Sequence, residues 1–259
     1  MLLELTLGNS GEWWAYALLL VAGFSAGVVN TLAGNGSVFT LSALIFLGLP
    51  ADIANGTNRI GTSMQSLTAV TVFRSHDRGV FQYSLPYLWP SFLGALLGAW
   101  VVADLPESVL KWVMGVIMLF LLILILANPK KGLKEGEHEP AKPWVKALAL
   151  FGIGFYGGFI QAGIGVLLLV SLVNLGAHSL VKSNAIKLVV VLAYSLPVLG
   201  VFIWYDKVAW EMGVWLGVGQ VAGSFLAARF AVKNQKANQW IRSLLIAMIL
   251  LAVAKLFTT

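Results

Sequence analysis

Eight stretches of this sequence, each 16 to 21 residues long, are almost wholly apolar: 13–33, 55–73, 83–103, 108–127, 147–165, 184–204, 212–228 and 243–258. A helix of that length comes close to crossing a hydrocarbon layer of ~30 Å at ~1.5 Å per residue. With 59% hydrophobic and 11% charged residues, 259 residues carry more apolar surface than a water-soluble core can hide. Lipid is therefore the expected solvent. Two further apolar runs, 37–48 and 166–176, are too short to cross and predict half helices or re-entrant segments.

Both short runs follow a repeated phrase. Gly23-Phe24-Ser25-Ala26-Gly27 recurs as Gly154-Phe155-Tyr156-Gly157-Gly158. The register holds along the chain: Gly23 pairs with Gly154 (154 − 23 = 131), Arg59 with Lys187 (187 − 59 = 128) and Lys111 with Arg242 (242 − 111 = 131). A duplication of this size predicts two repeats, 1–127 and 147–259, with the hydrophilic stretch 128–146 as the linker between them. Pairs of small residues four apart, Gly23/Gly27 with Gly154/Gly158 and Gly94/Gly98 with Gly219/Gly223, are expected to let helix backbones approach closely in lipid.

Loop charges orient the chain. The net charge of +6 comes from basic residues in short loops, where they act as topology determinants rather than as a nucleic-acid surface. Arg74 to Arg78, the linker with Lys130, Lys131, Lys134, Lys142 and Lys146, and the segment with Arg229, Lys233, Lys236 and Arg242 are expected in the cytoplasm. Glu4, Glu12 and the acidic turn around Asp104-Leu105-Pro106-Glu107 belong outside, as do both termini. The bias reverses between equivalent loops of the two repeats, which predicts that the repeats are inverted. Met1-Leu2-Leu3-Glu4 lacks a basic signal-peptide region, so 13–33 is expected to remain as the first span.

The chemistry is concentrated in the breaks. Asn30-Thr31-Leu32-Ala33-Gly34-Asn35-Gly36-Ser37 in the first repeat answers to Gln161-Ala162-Gly163-Ile164-Gly165 in the second. Unwound backbone within a membrane is tolerated only where it faces protein or a wet cavity. A short helix beginning at Ser37 or Val166 would turn its positive end toward the break, which suits an anion. A packing kink is the plainer alternative. Each repeat then places a cation about one turn inside the next span, Arg59 after Asn55-Gly56-Thr57-Asn58 and Lys187 after Ser183-Asn184-Ala185-Ile186. Snorkelling to the interface would explain Lys187 alone; the repetition favours a shared role beside an anion.

Other chemistries find little support. The core of every apolar span is free of Asp and Glu, which argues against carboxylate-bound metal transport and against a carboxylate proton relay. His76, His138 and His178 are scattered in loops, cysteine is absent, and no spacing builds a metal site, a triad or a cofactor site. Trp13, Trp14, Trp144, Trp204 and Trp210 read as interface anchors.

At the two breaks, at Ala54-Asn55-Gly56-Thr57-Asn58-Arg59 and at Ser183-Asn184-Ala185-Ile186-Lys187, the chain resembles the TauE/SafE (TSUP) family of sulfite and organosulfonate exporters, over almost its whole length. The resemblance implies a bacterial inner-membrane carrier of small anions such as sulfite, thiosulfate and sulfoacetate. Asn35 stands where the family often has glycine, and Val166 where a third glycine is frequent. The combined expectation is an all-α polytopic membrane protein of two inverted repeats, with eight long spans and two short segments, moving a small anion by alternating access. The expected substrate residues are Asn30, Gly34, Asn35, Gly36, Ser37, Asn58, Arg59, Gln161, Gly163, Gly165 and Lys187. An anion channel lined by the same breaks is the alternative, and a membrane-embedded assembly subunit is a third reading. No nucleic-acid partner and no enzymatic activity are expected, and a homo-oligomer stays open.

Overall fold

The computed structural model describes residues 13–233, apart from 33, 107, 111, 114–115 and 117–139. Eight helices order these residues: α1 (Trp13–Leu32), α2 (Ser37–Phe46), α3 (Ala51–His76), α4 (Val80–Ala103), α5 (Pro143–Phe159), α6 (Ile164–Asn174), α7 (Leu180–Trp204) and α8 (Trp210–Lys233). Four of them, α1, α4, α7 and α8, are long and apolar enough to cross a membrane. The stretches 55–73 and 147–165 also form helices, but α3 is too polar and α5 too short to qualify by the same measure. The spans expected at 243–258 and over most of 108–127 lie outside the described residues.

The short runs form short helices. α2 has 10 residues and α6 has 11, about half the rise needed to cross. Each follows a longer helix through a glycine in the left-handed region, Gly34 with φ 87° and Gly163 with φ 74°. That conformation costs glycine little and other residues more, so the chain reverses there. Because Gly163 supplies the turn, α6 starts at Ile164 rather than at Val166, and α5 stops at Phe159 rather than running to 165.

Polarity is inside out. α3 buries Asn55, Thr57, Asn58, Arg59, Thr62, Ser63, Gln65 and Ser66, whereas Leu85, Trp89, Leu93, Leu97, Leu148 and Leu196 on other helices are exposed. Only an apolar solvent makes that distribution favourable. Trp13, Trp14, Trp144, Trp204 and Trp210 are all exposed at helix ends, where an interfacial aromatic belongs.

Two pairs of parallel helices pack backbone to backbone, each pair taking one helix from either half of the chain. A Cβ on Gly23 or Gly27 of α1 would run into the carbonyl oxygens of Leu216 or Gln220 on α8, and one on Gly219 or Gly223 would meet those of Leu20 or Phe24. The α4–α5 pair repeats the arrangement: Gly94 and Gly98 face the carbonyls of Phe151 and Phe155, while Gly154 and Gly158 face those of Ser91 and Ala95. The small-residue pairs noted in the sequence are thus packing surfaces.

Side-chain contacts sort the helix ends into two sets. At one end Tyr16 donates to Glu211 at 2.5 Å, Lys207 pairs with Asp52 at 3.2 Å and donates to the Ala103 carbonyl at 2.8 Å, and Thr57 Oγ1 accepts from the Ala209 amide. The starts of α1, α3 and α8 and the ends of α4 and α7 lie here. At the other end the Ala141 amide donates to Leu175, Tyr87 meets His178 at 2.7 Å, and the Lys182 ammonium sits over the Tyr83 ring. Partial burial, helped by Lys182 and Lys146, lowers the His178 pKa from its ordinary value. The first end carries Asp52, Asp104, Asp206 and Glu211 against Lys207; the second carries Arg74, Arg78, Lys142, Lys146, Lys182, Arg229 and Lys233 against Asp77. They are called the acidic and basic ends below.

Candidate functional site

The two breaks meet. The Gly165 amide donates to the Gly34 carbonyl at 3.1 Å, and a Cβ on either glycine would collide with the backbone of the other. Residues of the two breaks, at least 124 positions apart in sequence (161 − 37 = 124), are thereby brought to one place: Asn30, Gly34 and Ser37 from the first, Gln161, Ile164 and Gly165 from the second. With Thr62, Gln65 and Ser66 of α3 and Lys187, Leu188 and Val191 of α7 they line a small cavity.

Breaking a helix creates an electrostatic problem. α2 and α6 bring their positive starts to the centre, but α1 and α5 bring negative ends. Each negative end is capped by a cation from the opposite half. Lys187 Nζ donates to the Asn30 carbonyl at 2.9 Å, to the Thr31 carbonyl at 3.5 Å and to Asn184 Oδ1 at 2.6 Å, while Asn184 Nδ2 donates to the Thr31 carbonyl at 2.9 Å. Arg59 repeats this on α5: Nη1 donates to the Gly157 carbonyl at 2.6 Å, Nη2 to those of Gly158 at 2.9 Å and of Asn55 Oδ1 at 3.2 Å, and Asn55 Nδ2 donates to the Phe159 carbonyl at 2.8 Å. Both cations are buried, their hydrogen-bond partners among the described residues are neutral oxygens, and the Arg59 guanidinium also lies over the Phe202 ring. The capping leaves the positive helix starts as the dominant field at the crossing.

The expected residues divide accordingly. Asn30, Gly34, Ser37, Gln161, Gly165 and Lys187 line the cavity; Asn35, Gly36, Asn58, Arg59 and Gly163 do not. Asn58 braces the site from behind, accepting from Thr40 at 2.6 Å and donating to Gln161 Oε1 at 3.4 Å. The break amides also do structural work: that of Gly34 donates to the Val29 carbonyl and that of Gly36 to Asn30 Oδ1. In α6 the Ile164 amide is taken by the Gln161 carbonyl. Side chains hold further open hydrogen-bonding capacity. Thr62 Oγ1 and Ser66 Oγ are fully buried at the cavity wall and have no partner among the described residues. Buried hydroxyls left so are costly unless something fills the gap.

Thr62, Gln65 and Ser66 were not among the residues expected at the site. Their signal was the helical spacing of polar residues along α3, since Asn55, Asn58 and Thr62 fall three or four apart on one stripe and Gln65 and Ser66 follow Thr62 by three and four. Asn55 and Asn184 were visible only as neighbours of the repeated cations. Among the described residues, no group of three or more His, Asp or Glu could hold a metal ion.

A family described as sulfite exporter TauE/SafE matches residues 19–256. A probable membrane transporter protein, ORF9, from Sinorhizobium sp. is 28% identical over 217 residues, covering 83% of each chain. A probable membrane transporter protein of Haemophilus influenzae is 25% identical over 93% of each chain, and YfcA of Escherichia coli, likewise a probable membrane transporter protein, is 24% identical over 92% of this chain and 88% of its own. No solved structure matches the chain significantly.

Proposed function

Because the chain belongs to the sulfite exporter TauE/SafE family, we propose that it is an inner-membrane carrier that moves a small sulfur oxyanion or organosulfonate by alternating access, with the cavity at the crossed breaks as its substrate site. The observation that carries this reading is that Lys187 and two hydroxyls without a partner among the described residues, Thr62 and Ser66, line one cavity. An oxyanion accepts hydrogen bonds only, and a positive charge with convergent hydroxyl donors is what it needs. Asn30, Ser37, Gln65 and Gln161 frame the same space, and Gly34 and Gly165 keep it close to backbone.

Two inverted repeats account for the arrangement. The first half starts at the acidic end and the second at the basic end; each sends a helix to a break and returns through a short one, and each caps the other's broken helix. The basic end faces the cytoplasm and both termini face the periplasm. An anion leaving a negative interior gains about 2.3 kcal/mol per charge per 100 mV, so the membrane potential drives export.

Thermal unfolding of the purified protein against sulfite, thiosulfate, sulfoacetate, sulfate and simple carboxylates tests the ligand class. A true substrate at a hundredfold excess over its Kd stabilises by ~2.7 kcal/mol, whereas a non-ligand leaves the midpoint in place. Stabilisation by carboxylates alone, or by none of the panel, would remove the sulfur-anion reading. Unitary conductance steps in a bilayer would replace the carrier by a channel.

A further inference from the structure

Several buried polar atoms play no part in the cavity. Arg59 Nε, Ser63 Oγ and Tyr194 OH have no partner among the described residues, and all three residues are at least nine-tenths buried. They lie together. Ser63 follows Arg59 by one turn on the same face of α3. Tyr194 approaches Arg59 at Gly157: the Gly157 carbonyl accepts from Arg59, and a Cβ on Gly157 would lie 3.1 Å from the tyrosine hydroxyl.

The position of this cluster relates it to the cavity. α3 and α7 pack against each other and run in opposite directions, α3 from the acidic end and α7 from the basic end. Ser66 and Lys187 share the cavity; seven residues back along α3 (66 − 59 = 7) stands Arg59, and seven on along α7 (194 − 187 = 7) stands Tyr194. Seven residues are two turns, so both steps keep the same faces and move about 10 Å toward the acidic end. Arg59 with Tyr194 is therefore a second cation–hydroxyl pair on the same two helices, displaced from the first along the transport direction. By the register of the duplication Arg59 matches Lys187, Ser63 matches Val191, and Tyr194 matches Ser66, since 59, 63 and 66 become 187, 191 and 194 on adding 128.

We propose that Arg59, Ser63 and Tyr194 form a second pocket for the same class of small oxyanion, the inverted counterpart of the cavity at Lys187, closed here and opened toward the acidic end in the alternate state. This rests on the carrier reading above. The chemistry matches the first pocket: a guanidinium N–H, an aliphatic hydroxyl and a phenol can all donate to an anion's oxygens. Closure also explains why three such groups lie buried without partners. In a carrier with two inverted halves, the groups that face substrate in one state are sealed in the other. Arg59 then has two duties, with Nη1 and Nη2 holding the end of α5 while Nε turns to the substrate.

The natural absence of cysteine makes the test direct. Ser63→Cys and Ser66→Cys are introduced singly into the full chain, and right-side-out and inside-out membrane vesicles are treated with a membrane-impermeant maleimide. Fluxes of sulfite, thiosulfate, sulfoacetate and sulfate are measured in parallel without the reagent. Ser66→Cys is expected to react from the basic-end face, and Ser63→Cys only from the acidic-end face. Tyr194→Phe is expected to lower flux of the transported anion about tenfold, the scale of one hydrogen bond to a charged group, without lowering the melting temperature. Ser63→Cys that is unreactive from the acidic-end face, or reactive from the basic-end face like Ser66→Cys, overturns the second pocket and leaves the carrier standing. Should Ser63→Cys fail to accumulate, unchanged flux in Tyr194→Phe overturns it equally. If the unsubstituted protein moves none of the four anions, the carrier reading fails while labelling still decides whether the acidic-end pocket opens. Both cysteines reactive from both faces would mark a continuous pore and overturn the two readings together.

Discussion

At the scale of single residues, the site separates groups that hold the fold from groups held in reserve. Lys187 satisfies two carbonyls at the end of α1 and the side chain of Asn184. Lys187→Met strands those acceptors in a buried place, and the expected cost is about 1–3 kcal/mol, read as a lower melting temperature in detergent. Thr62→Val and Ser66→Ala should behave in the opposite way. Each removes a buried hydroxyl without a partner among the described residues, so the melting temperature stays or rises, while stabilisation by an anion of the proposed class is lost. A drop in melting temperature for both would mean that their hydroxyls bond within the protein and not to substrate. The sequence made the two cations conspicuous by repeating them, but it hid their partners. A backbone carbonyl at a helix end has no side-chain signature, and Asn30 is separated from Lys187 by more than half the chain. Arg59 was therefore readable as a functional cation and unreadable as the cap of α5.

At the scale of elements, stability rests on close backbone contacts between α1 and α8 and between α4 and α5. Gly27→Leu and Gly98→Leu put a side chain where a carbonyl of the facing helix stands, and neither variant should accumulate as folded protein. Gly152→Ala and Gly200→Ala provide the control, since nothing lies within 4 Å of the added carbon at either place. Their accumulation and melting temperature should match the unsubstituted protein in fluorescence-detected gel filtration and thermal unfolding; parity of all four variants would sink the packing account. Element identities were largely legible, because apolar length distinguishes a spanning helix from a half helix. Their limits near the breaks were not. Glycine counts as apolar in a hydropathy run, so the stretch 147–165 reads as one span although the chain turns at Gly163.

At the scale of the whole molecule, charge divides the two ends and sets an expectation for orientation. In intact cells a membrane-impermeant thiol reagent should label Asp206→Cys and spare Arg78→Cys until the membrane is permeabilised. The reverse pattern would turn the molecule over and, with it, the direction in which the membrane potential drives an anion. The helix pairing has a further consequence, for the making of the protein. α1 is made before the other described helices, yet the lysine that caps it is made 157 residues after Asn30 (187 − 30 = 157), and its backbone partner α8 later still. Until residue 187 has been made, the end of α1 faces lipid or the insertion machinery with its last carbonyls uncapped. The first half must therefore wait in an unfinished form and close only around the second, which makes late truncations as damaging to the beginning of this protein as to its end.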